Sequence, residues 1–307
     1  MNTVIKFLPK NIADVLSRIP PSQQEEIEEI RIRINRQIEI SMNGRIVFLP
    51  YVIQHEDAFH LMNKISHFSI YAIEEELRRG YITVSGGHRI GLAGKVILED
   101  GKVKAIRDIS SFNIRIAKEK IGIAGSLIPF VFRDGWMHTM IIGPPQTGKT
   151  TLLRDLARVI STGDSEKALH PAKVGIVDER SEIAGCVNGI PNLTFGNRVD
   201  VLDACPKAEG MMMMIRSMSP DVLIVDEIGR KEDAEAILEA VNAGIKLMMT
   251  VHGKSLDDIK KRPTLREILE QDIFQRFIVL SRNQGPGTIA HIFDGQGKEM
   301  NQKVSVT

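Results

Sequence analysis

Two hydrophobic rhythms divide the chain. In the first part apolar and polar positions mostly alternate. Ile30, Ile32 and Ile34 are interleaved with Arg31 and Arg33, the period of a strand buried on one face. Ahead of them Ile12, Val15, Leu16 and Ile19 fall on one side of a helix, with Asn11 in position to cap it. A strand at 38–40 meets Asn43-Gly44, a hairpin turn, and the apolar stretch 46–49 returns from it. Ala58, Phe59, Leu61, Met62 and Ile65 predict a second helix. Strands follow at 81–84, 90–98 and 103–106, the last two joined at Asp100-Gly101. Ile114 and Ile116, flanking Arg115, predict a final short strand. Residues 121–136 form a connection that is apolar enough to pack.

Beyond it the rhythm changes. Apolar runs at 140–142, 174–177, 222–225, 247–251 and 277–280 are separated by helical stretches. Continuous apolar runs alternating with helices mark a mostly parallel sheet covered on both faces. The fold class is therefore α/β. A smaller α/β domain is expected over 1–125, and a second domain over 126–307. Met211, Met212, Met213 and Met214 read as part of a buried helix before the 222–225 strand, since methionine fills irregular gaps. There is no internal repeat and no low-complexity tract.

The strongest motif follows the 140–142 run. Gly143-Pro144-Pro145-Gln146-Thr147-Gly148-Lys149-Thr150 is a complete G-x-x-x-x-G-K-[ST] phosphate loop. Leu152, Leu153, Leu156, Ala157 and Ile160 then form a helical stripe. A strand that turns through glycines into a helix N-terminus aims backbone N–H groups and a positive dipole at one point. The prolines have no N–H, so the cradle runs from Gln146 to Thr151. Gly148 permits close approach of the backbone. Lys149 would meet the β- and γ-phosphates, and Thr150 would offer its hydroxyl to Mg²⁺.

Three further apolar runs end in chemistry. The run 222–225 delivers Asp226 and Glu227 to the sheet edge where ligands bind in α/β folds. Asp226 would hold Mg²⁺, and Glu227 would polarise the attacking water. The run 174–177 ends in Asp178, Glu179, Arg180 and Glu182. Either Glu179 and Glu182 assist at the same site, or Arg180 forms a salt bridge that holds the sheet edge together. Thr250 and His252 stand at alternate positions of a third strand and share one face. Aimed at the γ-phosphate, they would sense hydrolysis.

Composition narrows the partners. The chain has 307 residues, enough for two ordinary domains, and is 43% hydrophobic. Lys plus Arg is 40 and Asp plus Glu is 39, so the basic footprint of a non-specific nucleic-acid binder is missing and no direct nucleic acid is expected. Cys186 and Cys205 are too few for a disulfide framework or a zinc cluster, which suits a reduced, cytoplasmic protein. No long apolar core follows the first lysine, so no secretory signal is expected. The longest apolar stretch, 121–132, is interrupted by Gly122, Gly125, Ser126 and Pro129 and is too short to span a bilayer.

The order of phosphate loop, acidic strand, Asp-Glu strand and Thr-x-His resembles the secretion and pilus motor ATPases of bacteria. The most specific part is Arg216-Ser-Met-Ser-Pro220-Asp221, the apolar run, Asp226-Glu227, a helix and Thr250-Val-His252. Within that superfamily the chain is closer to a branch from endospore-forming bacteria. The segments 86–94, 112–117, 178–186, 200–210 and 281–288 all look like that branch, so the resemblance covers nearly the whole chain. It implies an N-terminal domain before a RecA-like P-loop ATPase domain, ATP and Mg²⁺ as cofactors, homo-hexamers, and hydrolysis coupled to domain motion. It further implies work in the mother-cell cytoplasm, energising assembly of or transport through the channel to the forespore. The enzyme would be peripheral to the forespore outer membrane and held there through membrane proteins of the channel. Arg89, in the glycine-rich turn of the 86–94 segment, and Arg115 of the first domain are candidates to reach the nucleotide, and Arg198 is one for a subunit boundary. The chain departs from the broader pattern at Asp226-Glu227, where those motors carry Gly-Glu, and at Gly229-Arg230, where they carry Arg-Asp. The tetracysteine zinc site of some secretion motors is absent. A nucleotide-gated assembly scaffold uses the same pocket and stays open. A nucleic-acid translocase is disfavoured by charge, and a GTPase by the absence of an Asn-Lys-x-Asp guanine reader.

Overall fold

A computed structural model of the chain describes residues 1–66, 73–165 and 168–300. Positions 67–72 of the expected first domain, and 166–167 and 301–307 of the second, lie outside the described residues. The chain divides into two compact units. One is Met1–Lys118 with Gly185–Asn188, and the other is Glu119–Ala184 with Gly189–Thr307.

The first unit runs α1 (Asn2–Phe7), α2 (Lys10–Ser17), α3 (Pro21–Glu26), β1 (Ile27–Arg33), β2 (Gln37–Met42), β3 (Arg45–Val52), α4 (His55–Ile65), α5 (Glu74–Arg79), β4 (Tyr81–Val84), β5 (His88–Glu99) and β6 (Lys102–Arg115). The strands form an antiparallel sheet in the order β3-β2-β1-β6-β5-β4. Alternation does what the pattern predicts. Ile30, Ile32, Ile38, Ile40, Ile90, Leu92, Phe112 and Ile114 pack with Ile12, Leu16, Leu61 and Ile65 from the helices. The alternate positions carry ion pairs, such as Arg33 Nη1 to Glu39 Oε2 at 2.6 Å.

Three local expectations are corrected. Asn11 lies inside α2, whose N-cap is Pro9; its side-chain amide instead donates to Asp57 Oδ1 at 3.3 Å. The short strand around Ile114 and the strand at 103–106 are one long β6, because the partner β5 is long enough to pair with both. Arg89 sits on β5 and not in the glycine turn before it, opposite Thr83 on one side and Arg115 on the other.

The second unit opens with a short 3-10 turn (Gly125–Leu127) and α6 (Ile128–Val131), whose Leu127, Ile128 and Val131 join the core. Then follow β7 (Thr139–Gly143), α7 (Lys149–Thr162), β8 (Val174–Asp178), β9 (Val199–Asp203), α8 (Lys207–Ser217), β10 (Val222–Val225), α9 (Lys231–Asn242), β11 (Lys246–His252), α10 (Leu256–Lys260), α11 (Pro263–Leu269), β12 (Arg276–Ser281) and β13 (Thr288–Asp294). The sheet order is β13-β12-β7-β11-β10-β8-β9, parallel except for β13. Each face has its own core. Leu152, Leu153, Leu156 and Ile160 of α7 cover one. Met211, Met214, Ile237 and Ala240 of α8 and α9 cover the other. The four methionines do not share one environment: Met211 is 0% and Met214 1% exposed, whereas Met213 is 51% exposed.

Candidate nucleotide site

The parallel strands β7, β11, β10 and β8 all point their C-terminal ends the same way, so Gly143, His252, the Asp226-Glu227 pair and Asp178 arrive at one edge of the sheet. Immediately after β7 the chain turns through Pro144, Pro145, Gln146 and Thr147. Thr147 is buried and its hydroxyl donates to the Pro144 carbonyl at 2.8 Å. Gly148, at φ +87°, is the N-cap of α7 and is packed against Gly287, whose N–H donates to the Thr147 carbonyl at 2.8 Å. A side chain there would be strained and would meet the Gly287 nitrogen at 3.0 Å. α7 then starts at Lys149, Thr150 and Thr151, with its free N–H groups facing the loop.

Lys149 is buried, and its ammonium donates to Pro144 O at 3.0 Å and lies 3.2 Å from His252 Nδ1. Burial pulls its pKa below the usual lysine range, while Asp226 and Glu227 oppose that shift. Because Nδ1 faces an ammonium donor, His252 accepts there and carries its proton on Nε2. That nitrogen lies 2.8 Å from Glu227 Oε1. The other Glu227 oxygen pairs with Arg180 Nη1 at 2.9 Å. Asp226 is held just as fully. Thr150 Oγ1 donates to its Oδ2 at 2.6 Å, and Thr250 Oγ1 donates to its Oδ1. Thr250 also accepts from the Glu227 N–H at 2.9 Å. Glu227 itself sits at φ +55°, a conformation side chains seldom adopt.

The acidic loop after β8 reaches the same place. Asp178, Glu179, Arg180, Glu182, Lys207, Asp226 and Glu227 line one small pocket. Burial pushes the Asp178 carboxyl up to about 6, against N–H groups of Ala184, Glu182 and Ile183 that favour its charge. Burial also works against ionised Glu179, but Lys207 at 2.5 Å, with Arg230 and Arg180, holds its pKa below the usual range. Arg154 of α7 locks the loop to the phosphate-loop helix: it donates to Ile183 O at 2.7 Å and Glu182 O at 2.6 Å. On the opposite side, Arg282 Nη1 donates to Gln146 Oε1 at 3.2 Å.

Lys149, Thr150, Asp226, Glu227, Thr250 and His252 thus form one bonded network, with Glu179 and Glu182 beside it. Arg89 and Arg115 belong to the first unit. There Arg89 lies over the Tyr81 ring at 3.6 Å, and Arg115 is 4.0 Å from Glu29. Arg198 donates to the Pro171 carbonyl. Sequence reading missed Arg154, Lys207 and Arg282 altogether, and weighed Arg180 only as an edge salt bridge. Their partners are 28 to 136 residues away, so no spacing could have announced them.

The residues fit a nucleoside triphosphate with Mg²⁺. A helix N-terminus with a glycine at positive φ leaves the close approach that phosphates need. Among the described residues no cluster of three or more His, Cys, Asp or Glu could hold a metal alone. Mg²⁺ takes one or two protein oxygens, the rest of its ligands being phosphate oxygens and water. Thr150 and Asp226 supply such a hydroxyl–carboxylate pair.

Comparison with known proteins bears on the fold and the family. The Yersinia pseudotuberculosis ATPase DotB has a similar fold, with a TM-score of 0.61 at 15% identity over 94% of this chain and 81% of that one. The pilus retraction motor PilT, solved with bound ADP, gives a TM-score of 0.59 at 16% identity over 86% and 77%. The stage III sporulation protein AA of Bacillus subtilis (strain 168) is 55% identical over 306 residues, 100% of this chain and 99% of that protein. The family profile described as sporulation stage III, protein AA matches residues 1–300. The chain therefore belongs to the stage III sporulation protein AA family.

Proposed function

We propose that the chain is a Mg²⁺-dependent ATPase that drives a sporulation secretion machine. The carrying observation is the network that links Lys149 to Glu227 through His252, at the N-terminus of α7. In this reading Gly143, Pro144, Pro145, Gln146, Thr147, Gly148, Lys149, Thr150 and Thr151 hold ATP. Thr150 and Asp226 hold Mg²⁺, which would neutralise phosphate charge. Glu227 takes the proton of the attacking water, and Glu179 or Glu182 assists. His252 bonds both the lysine that meets the γ-phosphate and the glutamate that activates water, so loss of that phosphate is felt at once by both.

Membership of the sporulation family supports a role at the channel between mother cell and forespore, worked from the mother-cell cytoplasm as a homo-hexamer docked on membrane proteins. No described helix is long and apolar enough to cross a membrane, in keeping with docking through partners. A RecA-like domain over 126–307 and an α/β domain over 1–125 complete the proposal.

One observation favours a second reading. Both Glu227 oxygens are engaged, by His252 and by Arg180, as suits a scaffold in which ATP orders an assembly and turnover is slow. The decisive experiment measures ATP binding and phosphate release for three proteins. The ATPase reading expects Lys149→Ala to lose binding, and Glu227→Gln to bind but release phosphate about 10²–10⁴-fold more slowly. Unchanged phosphate release in Glu227→Gln would overturn it.

A further inference from the structure

The methionine run leaves one face unexplained. Met211 and Met214 lie in the core, Met212 is partly buried against it, and Met213 is exposed; Met212 and Met213 both line a groove between α8 and α9. The groove encloses about 920 Å³. Its floor is Ala208, Met212, Met213, Ala236 and Leu238. Its rim is acidic: Glu209 from α8, and Glu232, Glu235 and Glu239 from α9, against Arg216 alone. The three α9 glutamates are spaced i, i+3, i+7 and share one helix face. None of the four glutamates has an ion-pair partner among the described residues. At the nucleotide site, by contrast, Glu179 pairs with Lys207 and Glu227 with Arg180.

We infer that this groove is a docking site for a cationic amphipathic helix of a partner protein. Four carboxylates without ion-pair partners around an exposed Met213 make the rim complementary to a cationic partner that brings an apolar side chain to its centre. Methionine is adaptable and enriched at surfaces that receive helices. Small, partly buried Ala208 lets a backbone approach closely. α8 has 11 residues, roughly 16 Å at 1.5 Å per residue, which accommodates about three turns of a guest helix. Leucines on one side of the guest would cover the methionines, and flanking lysines or arginines would meet the glutamates. The inference stands apart from the nucleotide reading, since none of these residues lies in that site.

The test uses the full chain and a fluorescent 18-residue peptide of leucine and lysine with all leucines on one helical face. Its counterpart with glutamate in place of lysine is the control. Anisotropy at physiological salt should show saturable binding of the first peptide and none of the second. Hydrogen exchange should slow within 207–217 and 231–242. Met213→Asp, and separately Glu235→Lys with Glu239→Lys, should each weaken binding at least tenfold. The unfolding midpoint of each variant should stay near that of the parent. Three results would overturn the inference. Binding indifferent to Met213 would mean charge attraction alone. Protection outside the two helices would place the peptide elsewhere. Protection of α8 and α9 that rises with protein concentration in the absence of peptide would mean that a second copy covers the groove.

Discussion

At the scale of single residues, Thr250 is the least obvious member of the site and the most informative. It is fully buried, and one hydroxyl serves both acids of the Asp226-Glu227 pair. Replacing it by valine keeps the shape and removes the bonds. Asp226 would lose a donor, and the N–H of Glu227, already at an unfavourable φ, would lose its acceptor. An unsatisfied buried group costs about 1–3 kcal/mol. Thr250→Val should therefore lower the unfolding midpoint by several degrees and cut turnover at least tenfold while ATP affinity stays within about threefold; calorimetry and phosphate-release kinetics check both. Two histidines set a pH limit. His88 and His138 are buried, and burial pulls each down to about 4, aided by the N-terminal amine and Lys246 respectively. The unfolded chain takes up these protons near 6.5, whereas the folded chain refuses them until about 4. Stability is then complete above 6.5 and falls as pH drops from 6.5 towards 4, by about 3 kcal/mol for each histidine. Asp178 acts in the opposite sense between 3.8 and about 6, and one carboxyl offsets only one histidine. Urea unfolding at pH 7.5 and pH 5 should show the net loss, and the two ring C–H resonances should not titrate near 6.5.

At the scale of elements, the acidic loop after β8 is tied to α7 by the hydrogen bonds of Arg154 and by the burial of Ile183 in the core that α7 covers. That guanidinium is buried and bonded to two carbonyls of the loop, while Asp178 gathers three of its N–H groups. Arg154→Ala would remove the guanidinium donor from each of those carbonyls. Faster amide exchange across 179–184 and a clear drop in the unfolding midpoint are expected, with the first unit's exchange unchanged. Exchange as slow as in the parent protein would mean that Asp178 alone suffices. None of this was visible in the sequence, because Arg154 reads there as one polar position on a helical stripe. What was visible follows a physical rule. The runs at 140–142, 222–225 and 247–251 are buried on both faces and therefore continuous. β9 carries Asp200 and Asp203 among its five half-buried residues, and β13 is an antiparallel edge framed by glycines. Edge strands need no apolar run, so neither announced itself. The phosphate loop, by contrast, is local chemistry, and its eight residues carried the site's position unaided.

At the scale of the whole molecule, the charge around the phosphate site is already spoken for. Arg154 is tied to carbonyls, Arg180 to Glu227, Arg230 lies 3.8 Å from Glu179, and Arg282 is bonded to Gln146. Lys149 is bonded as well, to Pro144 O and His252, and among these cations it is the one that the phosphate-loop pattern assigns to a γ-phosphate. An arginine that meets the developing charge is worth about 10³–10⁵ in turnover in related phosphoryl-transfer sites. We propose that an arginine from outside this unit adds the charge that speeds turnover, with Arg89 and Arg115 of the first unit as the candidates. If that arginine comes from a neighbouring copy, catalysis becomes a property of the assembly. Phosphate release per milligram should then rise steeply with protein concentration, starting near the Lys149→Ala blank. Arg115→Ala mixed with Glu227→Gln should recover part of the activity, because one protein still supplies the base and the other the arginine. Specific activity that is flat with concentration, with no recovery on mixing, would show that each chain completes its own site and that any ring serves another purpose.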